Sequence, residues 1–184
     1  IWEDEKYRKL QGSYPVISLS FANVKETTFI NARKSICHII TRLYNQCDFL
    51  LASGKLNEKE KEMYERVSDD MEEYFAADTL NSLSNYLNRY YGQKVLIFLD
   101  EYDTPLQEAY VHGYWKELVE FIRKLFNSTF KTNPYMERAI MTGITRVSKE
   151  SIFSDLNNLT VVTTTSEKYR TQFGFTEEEV FDEL

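Results

Sequence analysis

Val95-Leu96-Ile97-Phe98-Leu99 is the longest uninterrupted aliphatic and aromatic run in the chain, and Asp100-Glu101-Tyr102-Asp103 follows it at once. So short a run cannot be a membrane helix, which needs about 20 apolar residues. It suits a strand buried on both faces, the situation of a parallel sheet covered by helices on either side. Such a sheet demands further strands separated by helical crossovers. The composition can support one: 42% of the 184 residues are hydrophobic and 15% aromatic, enough for the core of a single domain.

The flanking sequence meets that demand. Pro15-Val16-Ile17-Ser18-Leu19-Ser20-Phe21 predicts a strand with proline at its entrance, where a missing donor matters least. From about Glu26 to Ala52, apolar residues recur at helical spacing, with Gly54 placed as a left-handed stop. Asn57 and Glu60 form a capping-box pattern opening a charged helix that keeps Met63, Val67, Met71, Tyr74 and Phe75 near one stripe. Asp78 opens another helix with Leu80, Leu83, Leu87 and Tyr90, closed by Gly92. Tyr114 to Phe130 predicts a helix broken at Asn133-Pro134, and Arg138–Gly143 and Leu159–Thr165 predict two more strands. Thr176 and Glu179 repeat the capping-box pattern shortly before Leu184.

Several function classes drop out. With 22 Lys and Arg against 29 Asp and Glu, the net charge of −7 argues against a wholly basic nucleic-acid footprint. Cys37 and Cys47, ten residues apart in the predicted helix, cannot form a disulfide while it is intact; they are expected as reduced core thiols of a cytoplasmic protein. With only two histidines, His38 and His112, a Cys/His zinc site is disfavoured. None of the six glycines falls within a G-x-x-x-x-G-K-[ST] or G-x-G-x-x-G frame, so these residues carry neither phosphate-cradling loop.

Two groups of residues remain as candidates for chemistry. Val95 to Glu101 has the layout of a Walker B element, in which an apolar strand delivers an aspartate to hold a Mg2+ shell and the next glutamate polarises water. A buried strand ending in a polar turn would look the same. A phosphatase of the haloacid-dehalogenase type needs D-x-D, whereas Asp100 and Asp103 are spaced D-x-x-D. Thr142-Gly143-Ile144-Thr145-Arg146 ends the next predicted strand, where a hydroxyl or guanidinium could meet a γ-phosphate. Ordinary loop chemistry, or an ion pair from Arg146 to Glu101 or Asp103, would also account for it.

Three long segments lie in register with one family. Leu99 to Leu106, Thr142 to Leu159 and Phe173 to Val180, together with Tyr14-Pro15-Val16-Ile17, resemble the bacterial AAA-ATPase-like family of P-loop proteins through nearly the whole chain. The resemblance implies an α/β, P-loop NTPase-like fold of the additional-strand type: an open parallel sheet with helices on both faces. It implies ATP and Mg2+ as cofactors of the parent protein, with a PD-(D/E)xK nuclease-like domain as a companion in the same polypeptide. Carried over residue by residue, Asp100 is the Mg2+ ligand, Glu101 the catalytic base, and Thr142 or Arg146 the sensor-side group, with Asp103 and Thr145 beside Asp100 and Thr142 in the nucleotide-binding set.

The family's Walker A loop precedes its Tyr-Pro-Val-Ile segment, and here only Ile1 to Ser13 does. Residues 1–184 are therefore expected to be a partial domain, truncated and missing the central Walker A strand, with no nucleotide tightly bound by this chain alone. The strands at Leu159–Thr165 and Arg138–Gly143 would flank the gap; they could close on each other, take a strand from another copy, or part so that the sheet ends at Arg138–Gly143. Closure or pairing between copies is expected, which makes a homo-oligomer a candidate partner state. No membrane association and no direct nucleic-acid contact is expected. A non-catalytic protein-interaction module with an ATPase-like fold is the alternative.

Overall fold

The computed structural model describes residues 5–144, 153, 156, 158–163, 165–169 and 180–181. Among them, β1 (Val16–Ser20), β2 (Val95–Asp100) and β3 (Met136–Met141) form a parallel sheet in the order β1-β2-β3. Ser18 lies beside Phe98 and Phe98 beside Ile140; Ser20 lies beside Asp100. The helices are α1 (Glu5–Arg8), α2 (Phe29–Gln46), α3 (Phe49–Ala52), α4 (Glu58–Glu65), α5 (Glu73–Tyr91), α6 (Thr104–His112) and α7 (Trp115–Phe126), with a π-helical turn over Asn127–Lys131.

One face of the sheet carries the core. Ile17, Leu19, Val95, Ile97 and Leu99 are buried, and α2, α5 and α7 pack together on that side. In α7, Leu118, Val119, Phe121, Ile122, Leu125 and Phe126 are all buried. At about 1.5–3 kcal/mol for each large apolar side chain, this helix is a principal anchor of the core. The expectation of helices on both faces is met on one side only: Val16, Phe98 and Ile140 on the other face remain 48%, 37% and 58% exposed among the described residues. Three strands in sequential order explain this, because right-handed crossovers that all advance in one direction put their helices on one face.

Tertiary contacts redraw several predicted boundaries. The helix expected from Glu26 to Ala52 begins at Phe29, where the Thr28 hydroxyl accepts from the Asn31 amide, and divides into α2 and α3. At the break, the Tyr44 carbonyl accepts from the Cys47 amide at 2.8 Å and from the Tyr64 hydroxyl at 2.6 Å. A tightened last turn turns the chain, and Leu50 reaches the core. Cys37 and Cys47 therefore do not share one helix interior; Cys47 caps α2.

The capping box at Asn57 and Glu60 forms as predicted, but α4 ends at Glu65 and the expected stripe breaks up. Met71 is buried, its carbonyl held by Arg33 Nη1 at 2.6 Å, whereas Met63 and Tyr74 are exposed. Helix α5 starts at Glu73, before Asp78, whose carboxylate instead accepts from Ser82 and Ser128. Gly92 closes it in the left-handed conformation, and Tyr90 is exposed.

The helix predicted from Tyr114 to Phe130 is α7 followed by the π turn. Helix α6 carries the sequence signs that mark helix ends, Pro105 just inside its start and Gly113 just past its end.

Leu159–Thr165 is not a strand: Leu159–Thr163 carry no regular structure, and Thr164 lies outside the described residues. The Thr163 amide donates to Ser166 Oγ and the Ser166 amide to the Thr163 carbonyl, both at 2.9 Å. Hydroxyl-bearing residues here satisfy their own backbone, and β-branched composition makes no strand without a neighbour to pair with. Among the described residues the sheet thus ends at β3, with no closure between the flanking segments. The second capping-box pattern, at Thr176 and Glu179, lies outside the described residues.

Candidate functional site

The carboxyl ends of the three strands bring Ser20, Asp100 and Thr142 side by side. Asp100 is the last residue of the central strand, and its carboxylate is exposed. Thr142 Oγ1 donates to Asp100 Oδ1 at 2.5 Å, and Ser20 Oγ donates to Oδ2 at 3.4 Å. Backbone bonds continue the ladder past the strands: Phe21 N to Asp100 O at 2.9 Å, Thr142 N to Leu99 O at 2.9 Å, and Tyr102 N to Thr142 O at 3.1 Å. The aspartate is therefore held by a hydroxyl from each neighbouring strand while its outer side stays open.

Glu101 leaves the strand in the left-handed region, with φ +50°. Only a surrounding structure that fixes the turn sustains that conformation in a residue with a side chain. Thr104, the first residue of α6, supplies part of that fixing: its amide donates to the Glu101 carbonyl at 3.2 Å and its hydroxyl to Glu101 Oε2 at 3.0 Å.

Asp103 has a different environment from Asp100. It is only 1% exposed and accepts from Gln107 Nε2 at 3.0 Å. Gly143 packs directly against it; a Cβ there would lie 2.5 Å from Asp103 Oδ1. The buried carboxylate thus ties the turn after β2 to the turn after β3.

Of the residues singled out in the sequence, the structure unites Asp100, Glu101 and Thr142 at one sheet edge and puts Asp103 beneath them; Thr145 and Arg146 lie outside the described residues. Ser20, Thr104, Gln107 and Gly143 join the site. Spacing hints at Thr104 and Gln107, which sit one helical step from Glu101 and Asp103. Nothing local points to Ser20, which is 80 residues from its partner.

A lone exposed carboxylate flanked by hydroxyls is a set of hard oxygen donors. It fits Mg2+, which binds through one or two carboxylates and keeps waters or phosphate oxygens in its remaining positions. Among the described residues no group of three or more His, Cys, Asp or Glu side chains could form a metal cage, and no helix is long and apolar enough to cross a membrane.

A family model described as "Predicted AAA-ATPase" matches residues 1–153. A curated relative from Azotobacter chroococcum mcd 1, "Uncharacterized protein in vnfD 5'region", is 30% identical over 90 residues, a stretch covering 48% of this chain and 17% of that protein. No solved structure matches significantly.

Proposed function

Since the chain belongs to the AAA-ATPase-like family, we propose that it carries the Walker B, hydrolytic half of a Mg2+-dependent ATPase site. The carrying observation is the exposed Asp100 carboxylate at the end of the central strand, held by Thr142 and Ser20 and followed at once by Glu101. Asp100 would hold Mg2+, and Thr142 would serve as the polar group sensing the terminal phosphate. Bound Mg-ATP supplies the transferable phosphoryl group and the cation that offsets its charge.

The work of this chain's residues is positional and protonic. Thr142 and Ser20 fix the direction of the Asp100 carboxylate, so that it presents oxygen without first reorganising. Glu101 takes the proton of the attacking water. Asp103 and Thr145 remain proposed members of the nucleotide-binding set, and Arg146 a proposed catalytic group on the sensor side. The phosphate-cradling loop would come from sequence outside these residues, and hydrolysis would drive movement of attached domains, a nuclease-like domain among them. We place this activity in the cytoplasm, in keeping with buried Cys37 and half-buried Cys47 as free thiols.

The test is ATP affinity of the full-length protein with Mg2+ and with EDTA. Asp100→Ala should abolish the gain in affinity that Mg2+ gives the parent protein. An unchanged gain would refute the assignment of Asp100.

A further inference from the structure

We propose that Thr104 is a positioning residue for Glu101: it holds one carboxylate oxygen, Oε2, and leaves the other to receive the proton from water. The inference rests on the hydrolytic reading of the site and goes beyond it by assigning the group that orients the base.

Glu101 is fastened to Thr104 at both of its ends. The Thr104 amide bonds the Glu101 carbonyl at 3.2 Å, and the Thr104 hydroxyl bonds the carboxylate at 3.0 Å. The first bond closes the turn, which sets where the glutamate Cα lies. The second removes rotameric freedom from a side chain with three rotatable bonds, so the carboxylate is placed before any ligand arrives.

The hydroxyl itself has a firm base. Thr104 begins α6, whose Pro105, Leu106 and Ala109 are buried, and it follows Asp103, which is buried and bonded to Gln107. A hydroxyl presented from such an anchored first turn holds its partner better than one on a free loop. The left-handed backbone at Glu101 points the same way, because strain at one residue of a turn persists where neighbouring contacts over-determine it.

A purely structural staple at the start of α6 would show the same hydrogen bond, so the experiment separates the two roles. In the full-length protein, Thr104→Val, Thr104→Ser and Glu101→Gln are compared by steady-state kinetics. They are also compared by 13C spectra of glutamate-labelled, nucleotide-free protein, in which Glu101→Gln identifies the Glu101 carboxyl signal. Thr104→Val should lower kcat about tenfold, the rate equivalent of one hydrogen bond, with KM unchanged. It should also move the Glu101 carboxyl signal, and Thr104→Ser should restore both. A parental kcat in Thr104→Val, an unmoved Glu101 signal, or a loss of kcat and thermal stability that Thr104→Ser fails to restore would overturn the proposal. If Glu101→Gln turns over at the parental rate, the hydrolytic reading itself falls and the proposal with it. A failure confined to the Thr104 variants leaves that reading standing.

Discussion

Replacing Gly143 with alanine should destabilise the fold through one identifiable contact. The added Cβ would lie 2.5 Å from Asp103 Oδ1, 2.9 Å from Asp103 Cγ and 2.8 Å from Tyr102 Cε1. Gly143 does not occupy the left-handed region, so alanine meets no backbone strain there and the penalty is steric. Relief requires Asp103 to move, yet its carboxylate is 1% exposed and bonded to Gln107 Nε2 at 3.0 Å. Overpacking of this kind costs about 1–3 kcal/mol. A buried polar group pushed off its partner costs about 1–3 kcal/mol. Because moving the carboxylate relieves the clash, the two costs overlap, and a total of about 2–4 kcal/mol is expected, a large share of a typical domain's stability. The assay is urea unfolding followed by tryptophan fluorescence, run as a double-mutant cycle with Asp103→Ala. In the Asp103→Ala background, Gly143→Ala should cost at least about 1 kcal/mol less, with the Tyr102 edge accounting for the remainder. Equal costs in both backgrounds, or a cost below about 0.5 kcal/mol in the parent, would refute the argument.

Two further outcomes concern the scaffold. Asn57→Ala should lower stability by about 1 kcal/mol and Asn57→Gly by only a few tenths, because the Asn57 side chain accepts from the Glu60 amide at 3.0 Å; equal losses by urea unfolding would argue against a capping role. Burial pushes the Cys37 thiol up to about 11, so it stays protonated at pH 8, where an unfolded cysteine near 8.5 is already partly thiolate. Iodoacetamide at pH 8 should therefore leave Cys37 unmodified in the native protein and alkylate it in urea, as read by mass spectrometry; rapid native labelling would contradict its burial.

What the sequence disclosed follows from how local each cause is. Val95 to Asp100 is legible because an unbroken apolar run ending in acids has few other uses. The Asn57 and Glu60 box and the Gly92 stop are legible because each is complete within a few residues. The division between α2 and α3 is not, because it depends on the Tyr64 hydroxyl reaching back to the Tyr44 carbonyl across 20 residues. Composition alone made Leu159–Thr165 look like a strand, and only the lack of a pairing neighbour among the described residues removes it. At the site, Asp100, Glu101 and Thr142 follow from strand ends. Ser20 needed the β1 to β2 register, and the burial of Asp103 needed the contact with Gly143. Residue type marked Asp103 as a candidate ligand; only the fold shows that its side chain also ties two turns together.

The central claim is that the turn after β2 presents a base beside a metal-holding aspartate, and Glu101→Gln tests it most directly. The amide keeps the size of the side chain and can still accept from Thr104, but it cannot take a proton from water. In the full-length protein, ATP affinity measured by calorimetry should stay within about twofold of the parent, while steady-state hydrolysis falls by about 10²- to 10⁴-fold. Hydrolysis at the parental rate by a variant that binds ATP normally would contradict the account.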